Sequence, residues 1–249
     1  MKRLTFILLF ILWGILPARA QMYFGLEGLL HTPSAEMSSP ASLRVGTQYM
    51  DRHFLPSGNA DNNRAFNYYI ALTPYEWLEA SFMGTLWKRE DGFYPDRSFS
   101  LRVRPLKEGK WWPAIVLGAQ DITGSRGYDG FQENPVFTDD FKNTGYYTNF
   151  FIAASKHFHW LRSEWGLHLA WRYYPDKDID PQKARWNGLT GGISWRPDFY
   201  PPLRLVAEWD GAEVNLGVDA MLFRFLRLQF ILQEFRYISV GISLEIKRL

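Results

Sequence analysis

Hydrophobic and polar residues alternate along most of the chain from residue 42 onward, with a period close to two. Successive side chains of a β-strand point to opposite faces, so this period predicts strands with one apolar and one polar face. We count about twelve such segments, each near the 9–11 residues that a tilted strand needs to cross a bilayer. No long stretch has a helical period.

Residues 203–219, which read LRLVAEWDGAEVNLGVD, predict a β-hairpin. Asp210 and Gly211 are a strong signal for a two-residue turn, because both residue types tolerate positive φ. A turn at these two residues places Glu208 directly opposite Glu213. Like charges in opposed positions are destabilising, so this register predicts a compensating arginine, cation or ligand.

The connections between the segments alternate between long polar loops and short turns. Outer-membrane barrels have long outer loops, short periplasmic turns and an even number of strands. We therefore predict an all-β fold, a single antiparallel transmembrane β-barrel of about twelve strands at residues 42–249. A soluble periplasmic β-sandwich, with its polar faces in water, is the alternative. The long loops are expected at residues 51–64, 89–97, 123–145 and 175–187.

The first 41 residues precede the predicted barrel. Residues 1–20 have the charged start, the apolar run and the A-x-A cleavage site of a secretory signal peptide. The apolar run is too short to cross a bilayer comfortably as a helix. Residues 21–41 are rich in turn formers, and we interpret them as a short strand or as a segment in the lumen or periplasm.

Composition excludes several classes of function. The chain has no cysteine, which rules out a disulfide framework, a thiolate metal site, a cysteine nucleophile and a lipidated N-terminal cysteine within these residues. The formal net charge is +2, and three basic residues lie in the leader, so we expect no attraction to nucleic acid. Aromatic residues make up 17%, and tryptophan and tyrosine concentrate at membrane–water interfaces.

Polar side chains on the inward faces of the predicted barrel are the candidate ligand-binding residues. Carboxylates accept hydrogen bonds from sugar hydroxyls, and guanidinium groups donate to them. A salt-bridge network that only stiffens the barrel is the structural alternative. A barrel of this size should be largely filled by such side chains, so we expect no open pore. The candidates are Arg102, Arg104, Arg204, Glu208, Glu213 and Asn215.

Other polar residues suggest chemistry only weakly. His157 and His159 have thin metal-site spacing, and Ser155 lacks a G-x-S-x-G setting. We therefore predict no metal, no cofactor and no catalytic residue. A barrel enzyme that modifies outer-membrane lipid is a second hypothesis, and it predicts loss of activity when Ser155, His157, His159 or His168 is replaced.

Three stretches in the chain match sequence motifs of a known family. Residues 25–37 read GLEGLLHTPSAEM, residues 113–121 read PAIVLGAQD before FIAASK at 151–156, and residues 200–217 read YPPLRLVAEWDGAEVNLG. Together, in this order, they resemble the YjbH-like outer-membrane proteins of exopolysaccharide biosynthesis and export. Many members of that family are much longer and carry repeated barrel-like halves, whereas this chain has room for one.

The resemblance implies a protein of the bacterial outer membrane, reached after signal-directed crossing of the inner membrane. It implies a structural or guiding role in exopolysaccharide or capsule assembly and export, and no enzymatic activity. The partners it implies are outer-membrane lipid, polysaccharide and polysaccharide-secretion proteins.

Overall fold

The computed structural model describes residues 22, 25–51, 65–89, 92–122, 148–174 and 187–247. These residues form a closed antiparallel barrel in which each strand pairs with its neighbours in sequence and β1 pairs with β12. None of the described residues belongs to a helix long and apolar enough to span a membrane. The strands are β1 Ser42–Met50, β2 Ala65–Tyr75, β3 Leu78–Arg89, β4 Gly92–Leu106, β5 Ala114–Gln120, β6 Asn149–Trp160, β7 Ser163–Tyr173, β8 Gly188–Arg196, β9 Leu203–Trp209, β10 Val214–Leu222, β11 Leu226–Gln233 and β12 Tyr237–Lys247.

The two faces of the strands differ as the alternation predicts. In β12, Val240 and Ile242 point outward and are exposed, whereas Ser239 and Ser243 on the opposite face are buried. The same alternation of exposed apolar and buried polar residues runs through β7, β10 and β11. The predicted twelve-stranded barrel is confirmed, and a single closed sheet is not the two-layer sandwich of the alternative.

The 203–219 hairpin forms, but its turn is longer than predicted. Trp209 pairs with Val214, and Glu208 pairs with Asn215. Asp210 Oδ1 accepts hydrogen bonds from the backbone N–H groups at positions 212 and 213, which stabilises a four-residue loop. The predicted pairing of Glu208 with Glu213 is therefore wrong, because the strands are offset by two residues from a two-residue turn.

The predicted loop at 89–97 is also wrong. β3 continues to Arg89 and β4 begins at Gly92, with these two residues paired at the end of the hairpin. The other three long loops lie largely outside the described residues, as does the predicted signal peptide at 1–20.

Candidate functional site

The lumen of the barrel is occupied by the chain's own N-terminal segment. Residues 25–38, which we call the plug, are all buried, and the chain leaves the lumen through residues 39–41 before β1 begins. The plug turns tightly at Gly28 and Pro33, which form an isolated bridge, while the Leu29 N–H donates to the carbonyl of Thr32. The candidate site is therefore a surface between plug and wall rather than an open channel.

One carboxylate on the wall holds the tip of the plug. Glu208 in β9 accepts hydrogen bonds from the backbone N–H groups of Leu30, His31 and Thr32, at 3.0, 2.8 and 3.0 Å. Asn215, its neighbour in β10, donates to Glu208 Oε1 at 3.2 Å and so fixes the carboxylate. The turn itself offers these three backbone N–H groups no acceptor. Glu208 accepts all three, as buried backbone groups require.

A guanidinium group on the opposite wall holds the plug's carbonyl groups. Arg102 in β4 donates from Nη1 to the carbonyl oxygens of Glu27 and Ser34, at 2.6 and 3.1 Å. Its Nη2 donates to the carbonyl of Glu36 at 2.6 Å, and its Nε donates to Glu79 in β3 at 2.7 Å. Arginine suits this role because its planar group presents several donors in fixed directions.

Two wall glycines lie against the plug's leucine pair, and Gly192 also lies against the carbonyl oxygen of Ala207. A Cβ built on Gly217 would lie 2.4 Å from a methyl carbon of Leu30, and one built on Gly192 would lie 2.7 Å from a methyl carbon of Leu29. Real Cβ atoms do not approach so closely, so larger residues here would push the plug away. Glu208, Asn215 and Gly217 all belong to the sequence motif at 200–217, and all three contact the plug or orient a group that does.

The plug's two acidic side chains lie in separate arginine clusters. Glu36 pairs with Arg204 at 2.7 Å, with Arg196 at 3.0 Å and with His157 Nε2 at 3.2 Å. Burial alone would raise the pKa of Glu36, but Arg204 and Arg196 outweigh it and hold that pKa well below its usual range. Glu27 pairs with Arg44, and Arg227 lies 3.5 Å away.

A turn residue supports the Glu36 cluster from the barrel rim. Glu108, between β4 and β5, accepts hydrogen bonds from the backbone N–H of His157 at 2.8 Å and from Lys156 Nζ at 2.9 Å. It also contacts His157 Nδ1 at 2.7 Å. Partial burial would raise the pKa of Glu108, but the hydrogen bonds from His157 and Lys156 lower it overall. His157 therefore bridges two carboxylates, one on the rim and one on the plug.

Glu36, His157 and His168 have potential ligand atoms within 4.8 Å of one another. Metal coordination would need the Glu36 carboxylate, which already pairs with the guanidinium groups of Arg196 and Arg204. Two positive charges this close disfavour a cation at the same carboxylate. The arrangement is better suited to holding an anion.

Ser155 and His168 lie in contact, as the lipid-enzyme hypothesis would need, but both are buried beneath the plug. Ser155 Oγ lies 2.8 Å from His168 Nδ1 and accepts the backbone N–H of Ala35 at 2.8 Å. His168 Nε2 lies 3.0 Å from Ser194 Oγ, where a catalytic triad would place an acid. His159 lies apart from them, exposed at the end of β6. Ser155 and His168 therefore position the plug and face no lipid.

Four of the six predicted lumen residues are buried in the lumen: Arg102, Arg204, Glu208 and Asn215. Placing Arg104 and Glu213 there is wrong. Arg104 lies at the rim, where its Nη2 donates to the carbonyl of Glu76 at 2.6 Å. Glu213 is exposed on the turn after β9.

Five residues of the site were not predicted from the sequence: the plug's own acids, Glu27 and Glu36, and the wall residues Arg44, Glu79 and Arg196 that surround them. The signal in the sequence was a pair of acids in a segment that has no lysine or arginine and is rich in glycine, leucine and small residues. Such a composition is typical of a loop, unless buried cationic side chains elsewhere in the protein pair with its acids.

The depressed pKa of Glu36 predicts that acid weakens plug docking. A carboxyl group with a lowered folded-state pKa stabilises the fold above its unfolded value, here 4.5, and this stabilisation is lost as pH falls through the folded value. Arg204, Arg196, His157 and His168 face this carboxyl group. Between about pH 5 and about pH 3, the free energy of unfolding of wild type should fall by more than that of Glu36→Gln. Denaturant unfolding measures both. Equal losses would contradict the prediction.

Fold and site together define a class: a closed twelve-stranded β-barrel whose lumen is filled by its own N-terminal segment. The YjbH family model, described as exopolysaccharide biosynthesis protein YbjH, matches residues 20–132, which include the plug and strands β1 to β5. A relative, named uncharacterized lipoprotein YjbH, of Escherichia coli strain K12, is 27% identical over 230 residues. These matches show that the chain is similar to YjbH proteins, which confirms the resemblance.

The relative is much longer than this chain. The match covers 77% of the chain and 28% of the relative. Among solved structures, outer membrane phospholipase A from Escherichia coli is similar over 85% of this chain and 98% of its own, at 11% identity and a TM-score of 0.36. The Salmonella typhi phospholipase dimer is similar over 84% and 91%, at 10% identity and a TM-score of 0.38. Structural similarity this weak carries no information about the site or its chemistry.

Proposed function

We propose that the protein is a plugged barrel of the bacterial outer membrane that serves exopolysaccharide assembly or export as a structural or guiding component. The observation that carries the membrane part is the outward face of the barrel. Large apolar side chains are exposed around the barrel, among them Ile70, Leu169, Ile193 and Ile242. Arginines and carboxylates are buried inside. Lipid stabilises this arrangement, and water does not.

Aromatic side chains at the short turns support the same placement. Trp77, Trp111, Trp160 and Phe199 are all at least half exposed and lie at or beside four successive short turns. Membrane barrels have girdles of aromatic residues where lipid meets water. By analogy with such barrels, these turns face the periplasm and the long connections face outward.

The polysaccharide part of the proposal rests on the family match over residues 20–132. The proposed role is not enzymatic, because the described histidines and Ser155 contact the plug, the rim or solvent rather than an open cleft.

Fractionation tests the location: the protein should sediment with outer membranes after carbonate and salt washes. Deletion of its gene should lower cell-surface polysaccharide, and the intact gene should restore it. Unchanged polysaccharide would contradict the proposed role.

Replacing Ile242 with arginine separates lipid from water as the barrel's surroundings. Ile242 is 45% exposed on the outward face of β12. Arginine near the bilayer midplane costs about 2–4 kcal/mol, whereas an exposed surface substitution in water changes stability by about 0.5 kcal/mol or less. Barrel unfolding in lipid vesicles should therefore show a loss of about 2–4 kcal/mol. The control is Ile242→Leu, and a loss no larger than that of the control would argue against lipid contact.

A further inference from the structure

The strands of the lumen wall are rich in buried arginine. Among the described strand residues that are buried, arginines outnumber carboxylates by six to four, and two more buried acids, Asp121 and Asp210, directly follow β5 and β9. The arginines are Arg44, Arg102, Arg172, Arg196, Arg204 and Arg227, and the carboxylates are Glu79, Glu208, Asp219 and Glu245. The plug carries two acids, Glu27 and Glu36, and no lysine or arginine. The plug therefore brings two carboxylates, and no cation, to strands rich in buried arginine.

Each plug acid lies in a pocket made for a carboxylate. The Glu36 pocket supplies Arg204, Arg196 and His157 within 2.7–3.2 Å. The Glu27 pocket supplies Arg44 and Arg227 from the wall. Arginine forks match the planar carboxylate group, so another carboxylate could replace the one now bound.

The wall also has polar groups that the plug leaves unpaired. Arg227 Nε and Nη1, Arg204 Nε and both carboxylate oxygens of Asp219 are buried without a hydrogen-bond partner. Buried polar groups without partners are costly. The plug therefore satisfies this wall only in part, and a ligand with hydroxyl groups as well as carboxylates would supply the missing partners.

We propose that the two pockets are subsites for the carboxylates of an acidic polysaccharide, one with uronic acid residues, and that Glu27 and Glu36 are intramolecular competitors for them. This inference rests on the proposed function and names its substrate class. Carboxylates bind the arginines, and sugar hydroxyls pair with Asp219 and the free guanidinium nitrogens. A neutral polymer would supply no carboxylate to the arginines of the two pockets.

The Glu36 pocket is the accessible one. His157 is 20% exposed at its side chain, Arg196 is the last residue of β8, and Glu108 on the rim contacts His157. All three lie at the short-turn end of the barrel, which faces the periplasm in outer-membrane barrels. Arg196 is buried and also pairs with Glu164, so a polymer arriving from that side meets the partly exposed His157 first and needs to displace only the adjacent part of the plug.

Titration calorimetry on the purified full chain in detergent tests the inference, with an oligogalacturonate as probe and a neutral maltooligosaccharide of equal length as its control. Glu36→Gln removes a competitor and should bind the oligogalacturonate about tenfold more tightly than wild type. Arg196→Gln should bind it about tenfold more weakly. Combining the two substitutions should abolish the gain. Glu76→Gln, an exposed acid on the same rim, should leave binding unchanged.

A Glu36→Gln variant that binds the oligogalacturonate no more tightly than Glu76→Gln would overturn the inference, as would equal binding of the neutral oligosaccharide. Should Glu36→Gln fail to fold, Glu27→Gln makes the same prediction for the other pocket. The outcome is separate from the proposed function. A deletion strain that loses surface polysaccharide, together with a barrel indifferent to uronate, would sustain the proposed function and refute this inference alone.

Discussion

Glu208→Leu is expected to release the tip of the plug from the lumen wall. The substitution leaves the backbone N–H groups of Leu30, His31 and Thr32 without their acceptor. Each buried donor left unpaired costs about 1–3 kcal/mol. Since water can rehydrate a displaced plug, we expect a net weakening of docking by about 3 kcal/mol, which corresponds to more than about 100-fold in the open population.

A single introduced cysteine measures this release, because the chain has none of its own. Ala35 is 1% exposed, so a maleimide should label Ala35→Cys slowly while the plug is docked. Adding Glu208→Leu should raise the labelling rate by about 100-fold. Glu213→Leu is the matched control, since Glu213 is exposed on the adjacent turn. Equal labelling rates for the two variants would show that Glu208 does not hold the plug.

Arg102→Met is expected to destabilise the whole barrel. It removes the donor to three plug carbonyls and leaves Glu79, fully buried, with Arg44 as its remaining ion-pair partner in the described chain. Breaking a buried ion pair from one side costs about 3–5 kcal/mol. We expect a loss of this size in urea unfolding of the detergent-solubilised protein.

The matched control for Arg102→Met is Arg104→Met, two residues along the same strand. Arg104 lies at the rim, so its loss should change stability by about 0.5 kcal/mol or less. The double variant Arg102→Met and Glu79→Met removes both partners and should recover part of the loss. Similar losses for Arg102→Met and Arg104→Met would contradict the assignment of Arg102 as a plug anchor.

The contrast between Arg102 and Arg104 shows what alternation can predict. A period of two assigns both arginines to the inward face, and it says nothing about height along the barrel axis. Height depends on strand tilt and on the register between neighbours, and β4 and β5 shift register between Val103 and Leu106. The face of the strand on which each arginine lies could therefore be predicted from the sequence, whereas contact of Arg102 with the plug could not.

The contrast between Glu208 and Glu213 has a local cause. The Asp210-Gly211 pair is a turn signal in both the predicted and the observed hairpin, and Gly211 does have positive φ, at 108°. The Asp210 side chain decides the length by accepting the N–H groups of the next residues. A two-residue shift keeps each side chain on its face, so the predicted faces survive although every predicted pairing in the hairpin is wrong.

The plug could not be derived from periodicity, because residues 25–38 have no regular strand or helix. Its placement depends on long-range contacts, such as Glu208 with residues 30–32 and Arg102 with Glu27. The family resemblance grouped the plug motif and the 200–217 hairpin in one pattern. The structure supplies the physical reason, since these two stretches bind each other.

The central claim is that the plug lies in the lumen with Leu30 against β10, and a disulfide tests it most directly. A Cβ on Gly217 would lie 3.3 Å from Leu30 Cγ, close to the roughly 3 Å between a Cβ and the far sulfur of a disulfide. In isolated outer membranes, mild oxidation of Leu30→Cys with Gly217→Cys should cross-link most chains, whereas Leu30→Cys with Gly118→Cys should not cross-link. Two thiols that remain free and label rapidly in the first variant would contradict the plugged barrel.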